Sequence, residues 1–245
     1  MKNLFHPHPA KKISLSGNEL KIIACASMFL DHFAKVFQAE LDSSLYFVLD
    51  NIIGRLAFPL FCLLLAEGYF HTRNLRKYML RVALLALVSE IPFNLAMSGQ
   101  FSDPRWQNTV FTLLLGLLMF CFLDIIRSGS DPVRLPAVLL QILTVLASAA
   151  AAWFLRTDYD VFGIGALACF YYLNGRIFKS PLTADLWACF CLFQEPAAFL
   201  SLLPVAAYNR SRGKRKMKYF FYFFYPLHLL LLVFLHDLIH GRYAL

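Results

Sequence analysis

Acid–base chemistry near neutral pH draws on imidazoles and carboxylates, and this chain places several of them inside apolar runs. The stretch LKIIACASMFLDHFAKVF, Leu20 to Phe37, carries Asp31, His32 and Lys35 in its second half. Asp31 and Lys35 share a helix face at i,i+4, so Asp31 is expected to pair rather than react, whereas Asp31 and His32, as sequence neighbours, should point apart. A second apolar run opens with Gly54-Arg55 and closes with Glu67-Gly68, with His71 one turn further. A third ends in SEIPFN, where Pro92 frees a backbone carbonyl and lets Glu90 and Asn94 face one gap. Gln107-Asn108 starts the next run, and Tyr225-Pro226-Leu227-His228 sets another imidazole beside a proline in the last. His32 and His228 are the groups best suited to proton transfer. An ionisable side chain at mid-bilayer costs about 2.5 to 3.5 kcal/mol, so each should meet a partner or a wet cavity. A structural hydrogen bond is the alternative role for either histidine. For Arg55 with Asp31 it is a structural salt bridge, and for Glu67, His71 and Arg73 a membrane boundary.

The elements that must position these groups follow from composition. The chain is 59% hydrophobic and 16% charged, with a mean hydropathy of +0.59, outside the soluble-domain range. The sequence therefore predicts an all-α, polytopic integral membrane helix bundle, one transmembrane domain over 1–245. At about 20 residues per crossing the length admits roughly eight to ten helices. Spans are expected at 17–38, 52–69, 78–97, 108–126, 135–155, 161–178 and 219–238. Ser16 with Glu19 has capping-box spacing at the first of these. Residues 182–208, interrupted by Pro196 and Pro204, read as a short broken pair meeting near Gln194, Glu195 and Pro196, or as a re-entrant hairpin.

The net charge of +8 falls in short segments between apolar runs, which orients helices rather than binding nucleic acid. Lys2, Lys11 and Lys12, the HTRNLRK turn and the basic run from Arg210 to Lys218 mark the cytoplasmic side, with 1–19 a cytoplasmic N-terminal segment. The partner on every lateral face is then the lipid bilayer. The N-terminal stretch lacks an apolar segment with a small-residue cleavage site, so the first span is expected to act as its own insertion signal. Six cysteines lie within apolar runs without zinc-site or disulfide spacing, and His6 and His8 lack neighbouring ligands, so no metal is expected.

The succession LKIIACASMFLDH, IGRLAFPLFCLLLAEGYFHTRN, YMLRVALLALVSEIPFNLA, QNTVFTLLLGL and YFFYFFYPLHLLLL resembles the TraX family, whose founding member is the F-pilin acetylase. The likeness runs from Leu20 to Leu117 and from Tyr219 to Leu232. It implies an acetyltransferase of the bacterial inner membrane that uses acetyl-CoA and, in the founding case, modifies the N-terminal amine of a pilin subunit. A looser likeness is to membrane O-acetylases of sugars, which share a basic residue, ten intervening residues and a histidine, the spacing of Lys21 and His32. On that implication His32 is the base, with His228 the second imidazole, and Asp31, Arg55 and Glu67 orient and charge-balance the cavity. Glu90, Asn94, Gln107, Asn108 and Tyr225 hold the acceptor, an amine or hydroxyl on a peptide or glycan, Gln107 or Asn108 also being able to donate to the oxyanion. His71, Arg73, Asn74, Arg76 and Lys77, with Lys214 to Lys218, face the CoA phosphates. Transfer is expected to be direct, with Cys25 and Cys62 the candidates for an acyl-enzyme. The competing reading is a small proton-coupled transporter or flippase, with Asp31, His32, Glu67 and Glu90 as a proton path; an assembly scaffold is a third.

Overall fold

The computed structural model describes residues 13–129, 131–177, 179–213 and 218–240. Among these the chain is all-helical, without a strand. Helix α1 spans Gly17–Val36, and Glu19 reaches back to the Ser16 backbone N–H at 2.6 Å, completing the expected capping box. Next comes one composite helix, Ser43–His71: α2 (Ser43–Phe47), a π-helical stretch (Val48–Ile53), a single 3-10 turn (Gly54–Leu56) and α3 (Ala57–His71). It begins nine residues before the predicted span, because Asp42 caps it by accepting from Ser44 and Leu45 N–H. Then follow α4 (Leu75–Ser98), α5 (Thr109–Gly129), α6 (Leu135–Leu155), and α7 (Asp160–Cys169), which continues as a π-helix to Arg176. The broken region forms α8 (Pro181–Cys191), a 3-10 segment (Pro196–Ser201) and α9 (Leu202–Ala206), and α10 (Lys218–Ile239) closes the bundle.

Five of these helices are long and apolar enough to cross a membrane: Ser43–His71, α4, α5, α6 and α10. That is fewer than the eight to ten predicted from length. The reason is physical: α1 carries Glu19, Lys21, Asp31 and Lys35 within 20 residues, and the α7 unit and the broken region are short. On α4, Leu80, Leu84, Leu87, Val88 and Ile91 form an exposed stripe at helical spacing, as expected of a surface that meets lipid. Pro92 does not break α4, which runs on to Gly99 in the left-handed conformation.

Backbone pairing away from the helices fixes the two ends. At one end Leu15 N–H donates to Ala207 O and Gly17 N–H to Ser211 O, both at 2.7 Å, while Asn209 N–H donates back to Leu15 O at 2.8 Å. A helix start leaves its first N–H groups without internal partners, and here the 207–211 segment supplies acceptors. At the other end Gln107 and Asp158 exchange backbone bonds with Arg156 and Gln107, joining the α4–α5 and α6–α7 connections. The 99–108 connection is also held by Asp103, whose carboxyl lies well below the usual range because the Arg105 guanidinium and backbone N–H donate to it.

The end at which Leu15 and Gly17 pair with the 207–211 segment carries a second tie. Asp124 of α5 accepts from Tyr69 Oη at 2.7 Å, from Tyr171 Oη and from Arg176, whose guanidinium lies 5.1 Å over the Phe70 ring. This carboxylate has three donors from two other helices, so it locks α3, α5 and the α7 extension. Asp124→Ala should lower stability by about 2 kcal/mol, the scale of hydrogen bonds to a charged group. A fall in the thermal midpoint of the detergent-solubilised protein would show it, and an unchanged midpoint would remove Asp124 from the account.

Candidate active site

A cavity of about 240 Å³ enters the bundle between α1, α3, α4, α5 and α10. From α1 it is lined by Asn18, Lys21, Cys25 and Met28, a 3-4-3 spacing that keeps one helix face turned inward. The next position on that stripe is His32. From α10 the lining residues are Phe221, Tyr222 and Tyr225, and the next is His228. Both stripes thus lead from the mouth to the same pair of imidazoles. From Lys21 to His32 the rise is roughly 16 Å.

His32 and His228 are buried, at 5% and 4% exposure. Their rings stack at 5.0 Å between centroids, and His32 Nδ1 lies 2.7 Å from His228 Nε2. The tautomers follow from the network rather than from observed hydrogens. His228 Nδ1 lies 2.8 Å from the Phe224 carbonyl, which can only accept, so Nδ1 carries the proton. In the neutral pair His228 Nε2 then accepts from His32 Nδ1–H, and His32 Nε2 is left with a free lone pair. That nitrogen stands 3.8 Å from Asp31 Oδ2. Adjacency in sequence therefore did not keep the two apart. Tyr225 stands edge-on to His32 at 6.0 Å, and its buried hydroxyl has no hydrogen-bond partner among the described residues.

Around this pair lies a network of three carboxylates and two cations. Lys35 Nζ donates to Asp31 at 2.8 Å and lies 3.6 Å from Asp50. Arg55 donates to Asp50 at 2.8 Å, stands 3.8 Å from Asp31, and meets Glu195 through Nε at 3.0 Å. Asp31 thus pairs with Lys35 as i,i+4 spacing predicts. Arg55 reaches Asp31 as well, but its nearest partners are Asp50 and Glu195, which the sequence did not single out. Asp50 and Arg55 are five residues apart and would diverge on an α-helix. The π-helical Val48–Ile53 stretch, with its i→i+5 bonding, turns them onto one face. Ser27 of α1 donates to the Ile53 and Gly54 carbonyls at 2.6 and 3.2 Å, satisfying backbone at the bulge. Gly54 is required there, since a Cβ would lie 2.6 Å from Asp31 Oδ1.

The remaining predicted residues divide by position. Glu67 sits at the opposite end from this network. It accepts from Asn174 Nδ2 at 2.9 Å and lines a vestibule of about 330 Å³ with His71, Arg81, Arg210 and Arg212. Lys21, Leu64, Gly68, Tyr78, Arg212 and Tyr222 line both vestibule and cavity, so the two adjoin. Asn74 caps α4 by accepting from Lys77 N–H at 2.9 Å. Arg73, Arg76 and Lys77 are exposed and do not line the vestibule. Its cations are Lys21, Arg81, Arg210 and Arg212, of which Arg210 and Arg212 arrive on the segment paired with Leu15 and Gly17. Lys214 to Met217, and Lys2, Lys11 and Lys12, lie outside the described residues. Asn108 is fully buried and donates through Nδ2 to Ala86 O and to Glu90, at 2.9 and 2.6 Å, tying α5 to α4. Both its amide hydrogens are engaged. Gln107 belongs to the backbone pairing described above, and Asn94 is buried within α4. Cys25 lines the cavity, whereas Cys62 is buried in the core away from it.

A family model described as "TraX protein" matches residues 16–236. The chain is also similar to "Probable fimbrial assembly protein FimC, serogroup H1" of Dichelobacter nodosus, 31% identical over 251 residues that cover 91% of this chain and 96% of that protein. No solved structure matches.

Removing Arg55 leaves two largely buried carboxylates, Asp50 and Asp31, with Lys35 alone. Breaking a buried ion pair in this way costs about 3 to 5 kcal/mol. Arg55→Ala should therefore lose much of the folded fraction in detergent, with Arg55→Lys recovering little, because one ammonium cannot serve Asp50 and Glu195 together. Wild-type thermal stability in Arg55→Ala would show that the network is not a structural tie.

Proposed function

Since the chain belongs to the TraX protein family, we propose that it is a membrane-embedded acetyltransferase, moving an acetyl group from acetyl-CoA to an amine or hydroxyl on an envelope peptide or glycan. The observation that carries this reading is the buried His32–His228 pair, which lies one helical turn beyond Met28 and Tyr225, the innermost residues lining a cavity whose mouth is cationic. Lys21, Arg81, Arg210 and Arg212 suit the CoA phosphates. The apolar channel suits the pantetheine arm, which is long enough to bring its thioester beside His32.

The residues then have separable roles. His32 Nε2 takes the proton from the acceptor as its nitrogen or oxygen attacks the thioester carbon. The C–S bond breaks as the carbonyl re-forms, and the proton passes from His32 to the departing sulfur. His228, fixed by the Phe224 carbonyl, sets the His32 tautomer. Tyr225, with its unpartnered hydroxyl, replaces Asn108 as the donor for the developing oxyanion. Asp31 stands beside the imidazolium that forms, and the Lys35–Arg55–Asp50–Glu195 network holds it there. Glu67 positions the vestibule through Asn174 and Arg210 rather than touching the thioester, and His71 lies at its rim. Cys25 is the group from which an acyl-enzyme could form.

The same reading assigns the vestibule end to the cytoplasm and the chain to the inner membrane of a bacterium. With α1, the α7 unit and the α8–α9 pair counted as membrane elements, the helices number about eight to ten. A pilus-related acceptor fits the name of the FimC relative. A proton-coupled transporter would join Glu67 to the Asp31 network, and the structure holds the two at opposite ends of the Ser43–His71 helix.

The test uses purified protein and radiolabelled acetyl-CoA with cell-envelope extract as acceptor source. His32→Ala should lower transfer by about 10²- to 10⁴-fold, the usual contribution of a general base. Arg212→Ala should raise KM for acetyl-CoA with kcat largely kept. Full transfer by the His32 variant would reject the assigned base, and absence of any acetyl transfer by wild-type protein would reject the acetyltransferase reading.

A further inference from the structure

At the end of the bundle away from the vestibule, α10 finishes in His236-Asp237-Leu238-Ile239 with His240 directly after it, and α1 is followed by Glu40. His236 and His240, at i,i+4, present their imidazoles on one helix face, stacked at 4.3 Å between centroids. Ligating atoms from Glu40, His236 and His240 all lie within 4.8 Å of one another. Glu40 Oε1 stands 2.9 Å from His240 Nε2 and 3.7 Å from His236 Nε2.

From this geometry we propose a binding site for a divalent cation of the Zn²⁺ type, formed by Glu40, His236 and His240, that joins the end of α1 to the end of α10. Imidazole nitrogen with carboxylate oxygen is the donor set such borderline cations favour. In a tetrahedron with bonds of about 2.0 Å neighbouring ligand atoms are about 3.3 Å apart, and the two Glu40 distances bracket that value. The nitrogens are also prepared for it. His240 Nδ1 lies 2.8 Å from the His236 carbonyl, and His236 Nδ1 lies 3.6 Å from Asp237 Oδ1. For His240 the carbonyl places the proton on Nδ1 and leaves Nε2 as the donor atom for a metal, the outer-shell arrangement of bound histidines, and the nearby Asp237 carboxylate favours the same tautomer at His236. The backbone that carries Glu40 is held as well, since Glu40 N–H and Leu41 N–H both bond to Phe37 O, at 3.1 and 3.2 Å. Glu40 and His240 are exposed, so the ion can enter from solvent and keep water as its fourth ligand. The site lies past the end of α1 and at the end of α10, the helices that carry His32 and His228, with His236 roughly 12 Å along α10 from His228.

The test takes the full chain in detergent, purified through a tag without histidine and stripped with chelator. Titration with Co²⁺, followed by its visible d–d absorption, should show a saturable site of near-tetrahedral intensity. The variants His240→Ala and Glu40→Gln should each weaken binding at least about tenfold, and His236→Ala with His240→Ala should abolish it. Zn²⁺ should raise the thermal midpoint of wild-type protein and leave that of the double variant unmoved. Equal Co²⁺ spectra for wild type and double variant, or a Zn²⁺ shift that survives in it, would overturn the site. So would the absence of Co²⁺ binding with a midpoint that falls equally in all variants, the result expected of an ion pair alone.

Discussion

Three carboxylates and two cations share the interior of a bundle whose outer surface is hydrocarbon-like, and most of the architecture serves to hold them together. Asp31, Asp50 and Glu195 come from three separate segments, and Arg55 touches all of them. Such a set is costly to desolvate and gives a net gain only if the remaining polar atoms are well placed. The structure meets that condition by unusual backbone: a π-helical stretch to align Asp50 with Arg55, a glycine to admit Asp31, and Ser27 to satisfy the carbonyls at the bulge. The broken region contributes a half-buried Glu195 from the turn between its two short arms, in which Leu192 is buried while Phe193, Gln194 and Pro196 are exposed.

Once those charges are placed, the imidazoles beside them acquire a defined polarity. The Phe224 carbonyl sets the His228 tautomer, His228 sets that of His32, and the free lone pair falls on the nitrogen nearest Asp31. A single backbone acceptor, produced by ordinary helix geometry one turn before His228, thereby decides which atom can act as a base. The cavity runs towards this point along two stripes of side chains, one on α1 and one on α10, and its lining ends one turn short of it at Met28 and Tyr225. Acid–base residues and an access route are therefore built from the same pair of helices.

Local regularities were legible in the sequence. The capping box at Ser16 and Glu19 and the Asp31–Lys35 pair follow from fixed helical spacings, the interruption near Glu195 and Pro196 follows from proline, and the structure contains each. Less could be read where pairing depends on departures from those spacings. Asp50 falls before the span expected at 52–69, and five residues separate it from Arg55, so only a π-turn brings the two together. The vestibule cations were misplaced for a related reason. The HTRNLRK turn is the denser cluster, but the cations at the opening come from α1, α4 and a segment some 190 residues away that pairs with Leu15 and Gly17, and no local pattern announces such a pairing. Asn108 read as an available donor because its two acceptors, Ala86 O and Glu90, lie on another helix.

The π-helical stretch also has a bearing on how this protein can change. One additional residue there offsets everything downstream by about 100° of rotation relative to an unbroken α-helix. Loss of any single position between Val48 and Ile53 would yield a more regular helix by every local measure, while swinging the guanidinium at Arg55 away from its acids and out towards lipid. The segment is thus one in which improved secondary structure and a working interior are opposed, and its length is fixed more tightly than the identity of most side chains within it.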